Sequence, residues 1–255
     1  MMSRRWHRPS WFSVVLTIAA VVLFARLGLW QYARMQEKQV MLDAVADVIA
    51  QRKPVALAHA AHDAAREHTY DWAAGTGAFA GVDPLLLDDQ MHEGRVGVRV
   101  YRVFFPDDEA GTSGGALLVD MGWLPLAANR ALPEMHFSSE GHSELRGLLA
   151  PPPSAGLALG TGFEHKSGAW LATRIDIAAL APAILPSPKS KGAAQLAPRV
   201  LRLDPALPLG FARDLDVLPN TLPPARHLGY AVQWFAFAVA ALVIFVLLHF
   251  RKVER

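Results

Sequence analysis

The chain has 255 residues, a formal net charge of +2 and no cysteine. That length leaves room for one sizeable folded domain plus membrane spans, and the near balance of charge offers no basic surface for nucleic acid. The absence of cysteine excludes disulfides, thiolate zinc sites, Cys-ligated iron–sulfur clusters, c-type haem attachment and Cys-dependent copper sites, so any metal has to be held by His, carboxylate or Met.

Arg4, Arg5 and Arg8 precede an apolar run over residues 11–25, and after Arg26 the sequence Leu27-Gly28-Leu29-Trp30 extends it. A basic start and an apolar middle also describe a signal peptide. No small-x-small cleavage site follows the run, and residues 11–30 are long enough to cross a bilayer. The expectation is therefore an uncleaved transmembrane helix over 11–30 behind a cytoplasmic segment 1–10. Arg26, near the far end, can snorkel to the headgroups, and Trp30 and Tyr32 suit the interface. Gln31, Arg34 and Lys38 follow at spacings of three and four, one helical face continuing out of the span. Such a face reads as a solvated cap over the lipid surface or as a binding site for acidic groups.

From residue 31 to 66 the pattern is Ala-rich and helical, with a break at Pro54. The period then changes. Strands are expected over 70–79, 84–88, 97–104, 116–120, 143–149, 170–175 and 199–203, the stretch 97–104 alternating apolar and polar as a half-buried strand does. Turn or loop composition marks 107–115, 151–162 and 186–194. A short helix is expected over 176–184 with Asp176 as its cap, and 205–225 reads as an extended Pro-rich approach to a second apolar run. Short strands separated by turns imply an antiparallel sheet or small barrel.

The second run opens Arg226-His227-Leu228-Gly229-Tyr230-Ala231-Val232-Gln233-Trp234-Phe235-Ala236-Phe237-Ala238 and continues to Phe250. Only Gln233 and His249 interrupt roughly 20 apolar residues, enough to span a bilayer. As a helix it puts Tyr230, Ala231, Trp234, Ala238 and Ala241 on the face of His227. Residue chemistry leaves two readings open. His227 is a helix cap among headgroups and Tyr230, Trp234 and Phe235 an aromatic belt, or His227 is a metal-capable nitrogen at the mouth of the span.

Basic residues flank both spans on their outer ends: Arg4, Arg5 and Arg8 at the first, Arg251, Lys252 and Arg255 at the second. Both ends therefore read as cytoplasmic. The expected fold is two transmembrane α-helices bracketing an α+β extracytoplasmic domain: 11–30 and 228–250 as spans, 31–227 as a periplasmic or intermembrane-space β-rich domain, and 251–255 as a cytoplasmic end. In a bacterium this is a multi-pass protein of the inner (cell) membrane.

A catalytic cluster is not legible. There is no phosphate loop of the form GxxxxGK[ST] and no HExxH. Gly75-Thr76-Gly77-Ala78-Phe79-Ala80 fits the relaxed dinucleotide fingerprint but lies in a predicted strand and opens no helix. Gly111-Thr112-Ser113-Gly114-Gly115 spells GxSxG, yet a strand follows it, so a Gly-rich hairpin turn is the better reading. His59, His62 and Asp63 would share a helical face, as metal ligands can or as a solvated face does. No nucleophile has a recognisable base and orienter.

Three segments together resemble one family. Leu27-Gly28-Leu29-Trp30-Gln31-Tyr32-Ala33-Arg34-Met35-Gln36-Glu37-Lys38 is similar to the G-x-W-Q-x-x-R-x-x-x-K signature after the first span of the Surfeit locus protein 1 family, Shy1-like cytochrome c oxidase assembly factors. Leu117-Leu118-Val119-Asp120-Met121-Gly122-Trp123-Leu124-Pro125 is similar to its L-V-N-R-G-W-V-P segment, with Asp120-Met121 in place of Asn-Arg. The stretch 227–238 resembles its H-x-x-Y-A-x-T-W-F-x-L-A signature, with Gln233 where Thr is common.

The resemblance implies a non-enzymatic, membrane-anchored chaperone of the respiratory chain that acts in maturation of the haem–copper oxidase catalytic subunit alongside other assembly factors. It implies transient binding of haem a, with His227 at the position of the axial ligand. The macrocycle would lie against Tyr230, Ala231 and Trp234, and Arg226 and Arg34 would offer charge-assisted bonds to its propionates. Two other classes stay in view: a scaffold that docks on an oxidase subunit without holding haem, and a membrane-anchored sensor, for which the short tails supply no output domain.

Overall fold

Ser10 begins the first helix. Its hydroxyl accepts the backbone N–H of Ser13 at 3.2 Å, which satisfies one of the donors a helix start leaves bare. From there α1 runs over Trp11–Gln51. It stops where Arg52 takes a left-handed φ of +45° and Pro54 follows, a residue that cannot continue a helix. The computed structural model describes residues 4–6, 9–108, 115–137, 141–153, 162–185, 195–216 and 222–252, with side chains from residue 9 to residue 249.

The chain divides into two compact units, residues 1–43 with 221–255, and residues 44–220. In the first unit, α1 faces α4 (Pro224–His249), which starts with Pro224 at the first helical position, where the missing N–H costs nothing. Both helices are long and apolar enough to cross a membrane. A short strand β1 (Arg4–Trp6) pairs antiparallel with β11 (Phe250–Lys252), so the two ends of this unit lie side by side.

Among the described residues the second unit is built on nine strands: β2 (Val55–Ala56), β3 (Asp71–Phe79), β4 (Leu85–His92), β5 (Arg95–Pro106), β6 (Ala116–Pro125), β7 (His142–Ala150), β8 (Phe163–Lys166), β9 (Ala169–Ala172) and β10 (Leu196–Leu203). Their order is β2-β3-β7-β10-β6-β5-β4-β9-β8, and β3 also pairs with β5 through Gly77, Ala78 and Phe79. The ladder β3-β7-β10-β6-β5 thus returns to β3. Most pairs are antiparallel, in keeping with the mainly antiparallel sheet expected from the sequence, while β10–β6, β4–β9 and β2–β3 are parallel.

Two helices cover it. Leu57, Ala60 and Ala61 of α2 (Leu57–His62) pack with Val98, Val100, Phe104, Leu117 and Leu201. Leu180 and Ile184 of α3 (Ile177–Ile184) pack with Tyr101, Val103, Leu118 and Val200 on the other face. Asp176 caps α3 as expected, accepting from Ala179 N at 3.2 Å.

This double cover corrects the reading of 97–104 as half-buried. Within 97–104 every residue but the half-buried Arg102 is buried, and the polar positions are carried by partners. Arg99 meets Asp120, and Arg102 lies 4.3 Å from the ring centre of Phe79 and 4.4 Å from that of Phe137. The strand expected over 170–175 ends at Ala172. β8, for which the sequence carries no expectation, forms because the turn at Ser167 (φ +52°) and Gly168 (φ +73°) folds it back on β9. The expected loop 186–194, most of 151–162 and residues 111–114 of the GxSxG match lie outside the described residues.

The motif segment at 117–125 has a structural task. Gly122 sits in a bulge of β6, opposite the step from Val100 to Tyr101, with φ +111°. There the chain after β10 docks: Phe211 N donates to Met121 O and Trp123 N to Ala212 O, each at 2.7 Å. Arg213 binds the carbonyls of Asp204, Leu207, Leu209 and Phe211, and Arg202 reaches Asp216 O at 2.5 Å. The Pro-rich approach is therefore strapped across the sheet as far as residue 216.

Candidate functional site

Between residues 227 and 245 of α4 the buried and half-buried positions are His227, Ala231, Trp234, Ala238, Ala241 and Phe245. They alternate at spacings of four and three, a seam of the kind two packed helices share. His227 is 7% exposed, Ala231 1% and Ala238 8%. Small residues at 231, 238 and 241 let the facing helix approach, which in an apolar medium is the main route to helix association.

α1 supplies the other side. Phe24 stacks on Trp234 with ring centres 5.8 Å apart and planes 24° apart, and it meets Phe237 at 5.8 Å. One turn on, Gly28 is buried; a Cβ there would come within 2.7 Å of the Phe235 ring. The helices run antiparallel, since contacts at 24, 28 and 31 in α1 fall at 234–237, 235 and 227 in α4.

Three residues past Gly28, the Gln31 Oε1 atom lies 2.7 Å from His227 Nδ1. An amide oxygen can only accept, so this contact fits an imidazole with its proton on Nδ1 and its lone pair on Nε2. Nε2 is buried and has no hydrogen-bond partner among the described residues. A neutral imidazole with its proton held at one nitrogen and a bare lone pair at the other is a metal-ligating group in its binding form.

The remaining sequence candidates stand as follows. Tyr230 is 42% exposed and lies off the seam. Trp234 is half-buried, its ring taken up by Phe24 and, edge-on at 5.7 Å, Phe237. Arg226 is exposed. Arg34 is also exposed and pairs with Glu37 at 2.8 Å one turn along. Lys38 Nζ donates to Leu222 O at 2.5 Å. The structure thus brings together His227 and Gln31, with Trp234 further along the seam.

His59, His62 and Asp63 do not converge. Asp63 accepts the backbone N–H of Ala65 at the start of the 3-10 turn Ala64–Arg66, and the His62 ring packs against Gly115, where it leaves no room for a Cβ. Among the described residues no group of three or more His or carboxylate side chains is placed to hold a metal ion. Gly75 to Phe79 lie within β3, as their strand context implied.

Sequence reading grouped Gln31 with Arg34 and Lys38 and gave it no role of its own. The available signal was spacing: Gln31 continues the four-and-three alternation of Phe24 and Gly28, whereas Arg34 falls off it.

A family model described as SURF1 family matches residues 18–239. No curated protein sequence matches the chain. The matched span contains all three motif segments, most of both helices of the seam and the whole nine-stranded sheet, and on that evidence the chain belongs to the SURF1 family, a family of oxidase assembly factors and not of catalytic enzymes.

Proposed function

We propose that the protein is a membrane-anchored assembly factor that holds haem a as cargo during maturation of a haem–copper oxidase catalytic subunit. α1 and α4 cross the inner membrane, both chain ends are cytoplasmic, and the sheet unit is periplasmic. The hydrophobicity of the two helices, the basic residues at both ends and the pairing of β1 with β11 support that arrangement.

The observation that carries the haem reading is the buried, unpartnered Nε2 of His227. It fits the group, since haem iron takes a neutral imidazole nitrogen and His227 would supply one. The chemistry haem supplies belongs to the oxidase that receives it. The protein's residues bind and shield. With haem bound, His227 would offer the lone pair, Tyr230 and the face of Trp234 not stacked on Phe24 would offer flat apolar surface, and the exposed Arg226 and Arg34 would offer cations to the propionates, Arg34 giving up its pairing with Glu37. Because Nε2 is covered in the packed seam, loading requires the side chains over it to move aside.

The same burial favours a second reading, in which His227 is a packing residue and the protein is a scaffold on an oxidase subunit that never holds haem. Purification from a host that makes haem a separates the two. The first reading expects a haem absorption spectrum at near-stoichiometric amounts; the second expects an apoprotein that still co-purifies with the oxidase subunit.

A further inference from the structure

We infer that Gln31 is a positioning residue for His227, fixing both the tautomer and the plane of the imidazole so that Nε2 presents a lone pair. The inference deepens the reading of His227 as a ligand and rests on it for its purpose, though not for its geometry.

A neutral imidazole has one N–H and one lone pair, and the hydrogen bond at one nitrogen decides the state of the other. In the described structure the ring has one polar partner, the Gln31 oxygen at 2.7 Å from Nδ1. With Nε2 buried and without a partner, a proton there would be a buried donor with nothing to receive it. A proton on Nδ1 leaves only a buried lone pair, the less costly vacancy.

Gln31 is itself held in place. It is half-buried in α1 and lies less than one turn from Gly28, whose missing side chain admits Phe235. The close approach at Gly28 sets the register that puts position 31 opposite position 227. Glutamine suits the task better than a carboxylate would: it accepts from Nδ1 without bringing a charge into an apolar seam.

The test uses the full-length protein in detergent micelles with 15N-labelled histidine. Signals of His227 are assigned by comparison with His227→Met. Proton-bearing and bare imidazole nitrogens resonate far apart, so the tautomer is read directly, without haem. We expect the wild-type ring to carry its proton on Nδ1 at neutral pH, and Gln31→Leu to lose that preference. Gln31→Glu, which keeps the acceptor, should retain the Nδ1–H form and guards against a Leu variant that does not fold. A wild-type proton on Nε2, or a Gln31→Glu ring that changes tautomer, overturns the inference.

Haem a titration is a separate arm. Loss of the second partner of a ligating histidine typically weakens metal binding on the order of 10- to 100-fold, so Gln31→Leu should bind haem at least about 10-fold more weakly than wild type. Gln31→Glu should shift the bound haem to a more negative reduction potential. If the tautomer is as expected and neither wild type nor variant takes up haem, the ligand reading fails and the positioning stands. If haem binds equally to wild type and Gln31→Leu, the positioning role fails and the ligand reading survives.

Discussion

Asp120 Oδ2 lies 2.8 Å from Arg99 Nη1, an ion pair in which the side chains are only 4% and 6% exposed. Arg202 approaches the same oxygen at 3.6 Å, and the other carboxylate oxygen accepts the Gly122 N–H at 3.0 Å. One carboxylate therefore answers two buried guanidiniums and ties the motif bulge to its neighbours. Asp120 stands where the family segment that this stretch resembles carries Asn. Neutralising it leaves the two buried cations with Asp214 as carboxylate partner, 4.0 and 3.5 Å away. We expect Asp120→Asn to cost about 3–5 kcal/mol, the usual result of removing one partner of a buried pair. The denaturant midpoint of the full-length protein in detergent measures it.

Gly122→Ala should also destabilise. The φ of +111° strains any residue with a side chain, and the new Cβ would stand 2.7 Å from Ala212 O and 2.8 Å from Phe211 O. Both are backbone atoms, so neither can swing away. We expect a loss above about 2 kcal/mol, together with faster proteolysis of the strap 205–216, which loses its pairing to β6.

How much of this was legible in the sequence differs by element. Both apolar helices, the strands over 71–79 and 142–150 and the Asp176 cap were readable because local period and composition set them. The burial of β5 was not. An Arg at alternate positions looks like a solvent face, and only the distant Asp120 and the aromatic pair Phe79 and Phe137 turn it into an interior one. At the site, His227 was legible as a lone imidazole beside a span, but its partner was 196 residues away in the sequence. No local pattern links positions that distant; the heptad-like seams of α1 and α4 had to be set against each other first.

Acid should unfold the sheet unit through two carboxylates. Burial works to raise the pKa of Asp71, but bonds from Arg66 and Arg199 outweigh it and hold the group below the usual range. Burial likewise opposes Asp204, and the Ala206 N–H with Arg146 and Arg52 outweighs it. A folded-state pKa below the unfolded one means stability that is fully present above about pH 4, the unfolded value, and is lost as pH falls through the folded value. Thermal midpoints should hold steady from pH 7 to about 5 and drop below about 4. Asp71→Asn and Asp204→Asn should start lower and show a shallower acid decline.

The proposed orientation has a clean test because the protein lacks cysteine. A Cys at the exposed position 129, Asn129→Cys, should react with a membrane-impermeant maleimide in intact spheroplasts. Glu254→Cys should react only after the membrane is opened. The reverse pattern would put the sheet unit in the cytoplasm.

The most direct measurement is the absorption spectrum of the full-length protein titrated with haem a, wild type against His227→Met and His227→Ala. The account predicts saturable binding of one haem with a histidine-type spectrum in wild type, an altered spectrum for Met and loss of about 10-fold or more in affinity for Ala. Identical spectra and affinities in all three proteins would contradict it.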